Sequence, residues 1–209
     1  GAVEREVESY DLTLEAIDRD GDAPGEDEWY ATAFNVETFQ WYDLPTDATS
    51  STRLPAGEYV LDASFFTMAA NGEDVDGIDW LVQPALSLTE ETTLTLDARE
   101  AAPIDATIQG IDAPADLGLS FDTYTEETGY GIAYFAGVLP EGMNTAQIGG
   151  VREGWTTTSA MSAGWQQEGT NREYHAADLN EGGFYTGLTK NVKRSQLARV
   201  TTGLGASLE

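Results

Sequence analysis

His175 is the only histidine in the chain, so any nucleophile–histidine–acid mechanism must run through it. Ser159 and Ser162 lie upstream and Asp178 just downstream, a trio that abundant acids and hydroxyls produce readily by chance. Around Ser162 the residues read Ala-Met-Ser-Ala-Gly, lacking the first glycine of the Gly-x-Ser-x-Gly elbow that strains a nucleophile into reach. A non-catalytic histidine is the reading these residues favour. Asp18, Asp20 and Asp22 imitate the opening of a calcium loop, whose first, third and fifth positions supply oxygens. The glycine, however, falls at the fourth position, and Trp29 stands where a bidentate glutamate should close the loop, so a solvated turn is the plainer reading. Glu73, Asp74, Asp76 and Asp79 crowd oxygens onto a second segment, where mutual repulsion favours a cation or salt. The expectation is no cofactor, with calcium as the one ion these acids could hold. Paired carboxylates can hydrolyse glycosides, but with 37 acids pairs are unavoidable. Five tryptophans and nine tyrosines could stack on sugar rings, or pack a core as such side chains more often do.

The elements that must position these groups are strands. Tyr10, Leu12, Leu14 and Ala16 alternate with polar partners and run into the turn Asp18–Asp22. Trp29–Val36 and Phe39–Tyr42 are aromatic-rich strands; Arg53–Glu58 reads as a turn before Tyr59, Leu61, Ala63 and Phe65 share one face of another. An acidic loop from Asn71 to Asp79 precedes strands at Trp80–Val82, Leu86–Leu88 and Thr92–Leu96, with Pro84 expected at an edge or bulge because it cannot donate to a ladder. The same period continues at Ile104–Ile108, Leu117–Phe121, Ile132–Val138, Trp155–Trp165, Tyr174–Leu179, Phe184–Leu188 and Gln196–Thr202. Ser195–Val200 is the one weak helical candidate. The expected fold is all-β: two consecutive antiparallel β-sandwich modules, residues 1–103 and 104–209, meeting near Ala101–Ile104.

Composition narrows the function classes. Apolar residues make up 41% of the 209, enough for a packed core. The 37 acids against 10 bases give a net charge of −27, a field that repels nucleic acid and anionic membranes and suits a salty or extracellular setting. Acids crowd the first half, whereas Lys190, Lys193, Arg194 and Arg199 gather near the end. No apolar run is long enough to span a bilayer, and no cysteine is present for a disulfide, thiolate site or nucleophile. The first eight residues lack the basic and apolar regions of a signal peptide, and Gly1 and Leu208-Glu209 read as vector remnants around part of a longer protein.

Two resemblances sharpen the functional expectation. The order strand, Asp18-Arg-Asp-Gly-Asp22, strand, Leu54-Pro-Ala-Gly-Glu-Tyr59, strand resembles the prealbumin-like, carboxypeptidase-regulatory-like sandwiches that serve as accessory modules of secreted proteins. Leu54–Tyr59, Leu81-Val-Gln-Pro84 and Leu96-Asp-Ala-Arg99 with Pro103, and more weakly Arg194–Val200, resemble the β-rich region that follows the catalytic domain in large secreted subtilisin-like serine proteases of actinobacteria. Thr158–Ala163 resembles the Gly-Thr-Ser-Met-Ala nucleophile motif of that family only superficially, and the family's catalytic residues have no counterpart here. The resemblance implies a secreted, non-catalytic accessory region whose partners are its own catalytic domain and an extracellular polymer or protein substrate. A free-standing carbohydrate or cell-wall binding module is the alternative, and a hydrolase using His175 or a carboxylate pair comes third.

Overall fold

Every strand among the described residues finds a partner in one of three sheets. The computed structural model describes residues 7–139 and 141–200, with backbone only for 132–136. The strands are β1 (Ser9–Ile17), β2 (Trp29–Asn35), β3 (Gln40–Leu44), β4 (Thr49–Pro55), β5 (Gly57–Met68), β6 (Val75–Leu88) and β7 (Thr92–Asp97). They continue as β8 (Ala102–Ile108), β9 (Asp116–Tyr124), β10 (Gly129–Ala136), β11 (Gly142–Gln147), β12 (Thr156–Gln167), β13 (Arg172–Glu181) and β14 (Leu188–Val192). Short 3₁₀ turns lie at Ala98–Glu100 and Arg194–Gln196. The fold is all-β, as the period-2 patterning requires.

A seven-stranded sheet, ordered β14-β8-β11-β6-β5-β2-β3, forms the middle layer. One face packs against the sheet β4-β1-β7 and the other against β10-β9-β12-β13. Parity along the strands allocates the side chains. From β5, Tyr59, Leu61, Ala63 and Phe65 join Leu12, Leu14, Leu54 and Leu96 in the first core. Val60 of the same strand joins Trp80, Val82, Phe121, Met161 and Trp165 in the second. Because β5 is covered on both faces, Tyr59 to Phe65 is buried without interruption.

After Ala101 the chain returns to the central sheet. Strands β8, β11 and β14 extend the sheet that β2, β3, β5 and β6 began, and β11 lies parallel to β6 from Gly142↔Gly77 to Gln147↔Val82. The two cores therefore share one sheet. The arrangement is also mixed where antiparallel pairing was expected: β1 with β7, β11 with β6 and β14 with β8 are parallel. Parallel pairs need long crossovers: β1 reaches β7 by way of the central sheet and β4, whereas β6 reaches β11 and β8 reaches β14 by way of strands in the outer sheets.

Pro84 sits where a proline can. Tyr59 pairs with Leu86 and Leu61 with Gln83, so Pro84 and Ala85 bulge together opposite Val60. The extra residue resets parity, and Leu81 and Leu86 enter the same core although five residues apart. What reads as two short strands is thus one. Other departures have local causes. Arg53-Leu-Pro55 completes β4 instead of forming a turn; Asp76 and Asp79 lie within β6, not on a loop. Residues 184–187 connect strands without joining one, and Arg194–Gln196 is a 3₁₀ turn where a strand beginning at Gln196 was expected. The end of that expected strand, Thr201–Thr202, lies outside the described residues, as do Gly1, Leu208 and Glu209.

At Gly187 a connection passes close against the backbone of the central sheet. Its φ is +70°, and a Cβ there would stand 2.7 Å from Ala102 Cβ and 3.2 Å from the Pro103 carbonyl oxygen. Gly187→Ala is expected to cost about 2–3 kcal/mol through left-handed strain and overpacking; urea denaturation of the two proteins checks it.

Candidate functional site

Two turns and one loop frame an open cleft of about 470 Å³ at one end of the central sheet. The first turn joins β2 to β3. Buried Asn35 fixes it: its Oδ1 accepts the Glu37 and Thr38 amides at 3.0 and 2.9 Å, while its carbonyl accepts the Phe39 amide at 2.9 Å. That closure forces Phe39 to φ 58°, a left-handed conformation uncommon for a bulky residue. The second turn joins β9 to β10, where Thr125 Oγ1 accepts the Glu127 and Thr128 amides, each at 3.2 Å. The loop before β12 contributes Arg152 and Trp155.

Arg152 anchors the cleft floor. Its Nη2 donates to the Tyr59 carbonyl at 3.0 Å and approaches Glu58 Oε2 at 3.4 Å, and its guanidinium lies 5.0 Å from the Trp155 ring centroid. Burial pulls its pKa down, opposed by the charges of Glu58 and Glu37. Its Nε and the Thr128 Oγ1 are buried without hydrogen-bond partners. Beside the cleft, exposed Phe39 and Trp41 continue an aromatic shelf inward: Phe34 is 6.3 Å from Phe39 and 5.1 Å from Trp41, and Trp41 is 5.2 Å from Tyr130.

The shelf ends at a buried carboxylate. Asp62 of β5 faces the second core with no solvent exposure. The Tyr130 hydroxyl donates to its Oδ2 at 2.6 Å and Thr32 Oγ1 donates at 3.3 Å, leaving Oδ1 without a partner. Burial raises the Asp62 pKa, and the two hydroxyl donors hold the rise back. The Tyr130 phenol is driven up by its own burial and by the neighbouring carboxylate. Pattern reading passed over Asp62 and Arg152. The signal was present for the first: Asp62 and Ser64 alternate with the apolar face of β5, a polar pair that becomes buried once the strand is covered on both sides.

The residues singled out from sequence are dispersed. Asp18 Oδ1 accepts the Asp20 and Asp22 amides, both at 2.9 Å, closing the turn on itself. Glu73 and Asp74 form a loop around Asn71, whose Nδ2 donates to Asp74 Oδ2 at 2.7 Å. Asp79 belongs to a different structure. Its oxygens receive Arg19 Nε at 3.0 and 3.1 Å, a close contact from Arg19 Nη2, and Asn144 Nδ2 at 2.7 Å. Among the described residues no three histidine, aspartate or glutamate side chains converge to hold a metal ion. With Asp18 and Asp79 already engaged by protein donors, millimolar calcium is expected to leave the melting temperature unchanged. A rise beyond about 2 °C on a calcium titration would instead reveal a site, since binding to the native state alone stabilises by mass action.

His175 and Asp178 are separated by parity. On β13 His175 points outward, with Nε2 3.7 Å from Glu173 Oε2, whereas the half-buried Asp178 accepts the Tyr185 hydroxyl at 3.2 Å and contacts Lys190 Nζ. Across the ladder Gly164 faces His175, and Ser159 donates inward to the Gly183 carbonyl at 3.0 Å. Ser162 donates to the Gly118 carbonyl at 3.4 Å. The three groups of a triad are therefore not assembled in this arrangement.

No family model and no curated protein matches the chain. Among solved structures, a leucine-rich repeat protein from Bacteroides thetaiotaomicron aligns with 89% of this chain and 26% of its own, at 12% identity and a TM-score of 0.29. The chain thus spans about a quarter of that structure's length, and the likeness is too slight to carry an argument about fold or function.

Proposed function

We propose that the chain is a non-catalytic accessory region of a secreted subtilisin-like serine protease, acting in folding support, anchoring or substrate binding. One observation carries the non-catalytic part: the cleft gathers carboxylates, threonines, an arginine and aromatic rings, whereas the sole histidine stands outside that lining, exposed on β13 and turned away from Asp178. Such a cleft is equipped to hold a ligand. The protease context is supported by the likeness of Leu54–Tyr59, Leu81–Pro84 and Leu96–Arg99 to the family's β-rich extension.

The full coding sequence tests this reading. Aspartate, histidine and serine blocks of a subtilisin-like catalytic domain are expected upstream in the same reading frame, and their absence overturns it. The second reading is a carbohydrate or cell-wall binding module without a protease, favoured by the exposed rings of Phe39 and Trp41 beside the cleft. Binding to an oligosaccharide panel that disappears in Trp41→Ala would support it.

A further inference from the structure

We propose that Asn71 is a site of spontaneous deamidation in the folded protein, at a pace set by the turn that holds it. Gly72 supplies the attacking nitrogen and water is the co-reactant. Of the six asparagines, Asn71 alone precedes a glycine, so no side chain on the following residue crowds ring closure. Val36, Thr145, Arg172, Glu181 and Val192 follow the other five, and Asn35 and Asn144 are buried besides. Asn71 and Gly72 stand exposed at the tip between β5 and β6. A Cβ at Gly72 would meet nothing within 4 Å, so the tip has room to rearrange.

The reaction runs in two stages. Solvent hydroxide takes the Gly72 amide proton, and the nitrogen bonds to Asn71 Cγ. The Cγ–Nδ2 bond breaks, Nδ2 leaves as ammonia with a proton drawn from water, and a five-membered imide remains. Water then adds to one imide carbonyl. Opening at Cγ gives aspartate, whereas opening at the backbone carbonyl routes the chain through Cβ and Cγ as isoaspartate. One water is consumed, one ammonia is released, and nothing is oxidised or reduced.

The turn supplies the brake. The Gly72 amide donates to the Ala69 carbonyl at 2.8 Å. Asn71 Oδ1 accepts the Glu73 and Asp74 amides at 3.0 and 3.1 Å, and Nδ2 donates to Asp74 Oδ2 at 2.7 Å. Nucleophile and carboxamide are thus both held, and reaction waits on opening, which exposed hydrogen bonds at a loop tip permit. The product has lost the Nδ2 donor and sets a new carboxylate beside Asp74, which opposes reclosure. This tip follows Met68, whereas the cleft lies near Glu58 at the other end of β5, so the chemistry is separate from the proposed binding function.

The test ages the intact chain in mildly alkaline buffer and follows every asparagine by peptide mapping with isoaspartate detection. Asn71 is expected to convert first, to a mixture of aspartate and isoaspartate. Unfolding in urea should speed the conversion about tenfold, because the turn no longer has to open. In the folded protein Asp74→Ala should speed it roughly two- to fivefold by freeing Nδ2. Asp74→Asn keeps an acceptor oxygen and should change the rate by less than about twofold. Earlier conversion of another asparagine, aspartate without isoaspartate, or no conversion in the folded chain overturns the proposal. So does an Asp74→Ala rate no faster than wild type, or a rate that urea leaves unchanged.

Discussion

Tyr130→Phe is expected to destabilise the protein by about 3 kcal/mol at pH 8, far more than the loss of one hydroxyl from an exposed tyrosine would. The substitution removes the 2.6 Å donor from a fully buried carboxylate and leaves only Thr32, at 3.3 Å. Its pH dependence identifies the cause. Burial raises the folded-state pKa of Asp62, so the native protein holds that proton more tightly than the unfolded chain. For this group, stability is greatest below the unfolded carboxylate range and falls as pH rises through the folded pKa. Removing Tyr130 deepens that fall, so the penalty should be smaller at pH 5 than at pH 8. Urea denaturation of wild type and variant at both pH values measures it; comparing the two proteins cancels the repulsion among the other acids. In an Asp62→Asn background the Tyr130→Phe penalty should become independent of pH, and a penalty that kept its pH dependence there would place its origin elsewhere.

Arg19→Ala should lower the melting temperature by about 6–12 °C, corresponding to about 3 kcal/mol in a chain of this size. The asymmetry of the pair explains the expected magnitude. The Arg19 side chain is 43% exposed but that of Asp79 only 5%, so truncation strands a buried carboxylate with Asn144 as its remaining donor. Arg19 Nη2 also reaches the carbonyls of Ala101 and Ala98, at 3.1 and 3.4 Å, so one guanidinium joins the β1–β2 turn, β6 and the 3₁₀ turn after β7. Arg19→Lys should recover only part of the loss, because an ammonium cannot match the guanidinium's planar fork on two carboxylate oxygens and still reach both carbonyls. Calorimetric melting of the three proteins decides it, and full recovery by lysine would reduce the contact to simple charge pairing.

The strands were legible because burial on one face imposes a period that residues such as Leu12, Leu14 and Ala16 display directly. What was not legible depended on partners distant in sequence. Strand β11, Gly-Met-Asn-Thr-Ala-Gln, has no alternation to notice because it is enclosed between β6 and β8 and buried on both faces. The division at Ala101–Ile104 follows a real change of layer, but composition does not say that β8, β11 and β14 return to the earlier sheet. Charge misdirected the reading of Asp79. Among Glu73, Asp74 and Asp76 it looks like one more surface acid, and only the fold brings Arg19 and Asn144 to it. The cleft was hidden for the same reason: Glu37, Glu127 and Arg152 come from three separate connections, and no spacing along the chain unites them.

The shared central sheet has a consequence for any attempt to divide this protein. Residues 7–103 made alone would carry Phe34, Val36, Val60, Trp80 and Val82 on a face whose cover is supplied entirely by later residues. Residues 104–200 would in turn lack the strand that β11 pairs with in parallel. Each piece would leave apolar surface without the strands that cover it in the whole chain. Fragments cut near Pro103 would have to meet along β6 and β11 to cover those faces again. The point that reads as a joint between modules is where a two-fragment reconstitution would have to be cut.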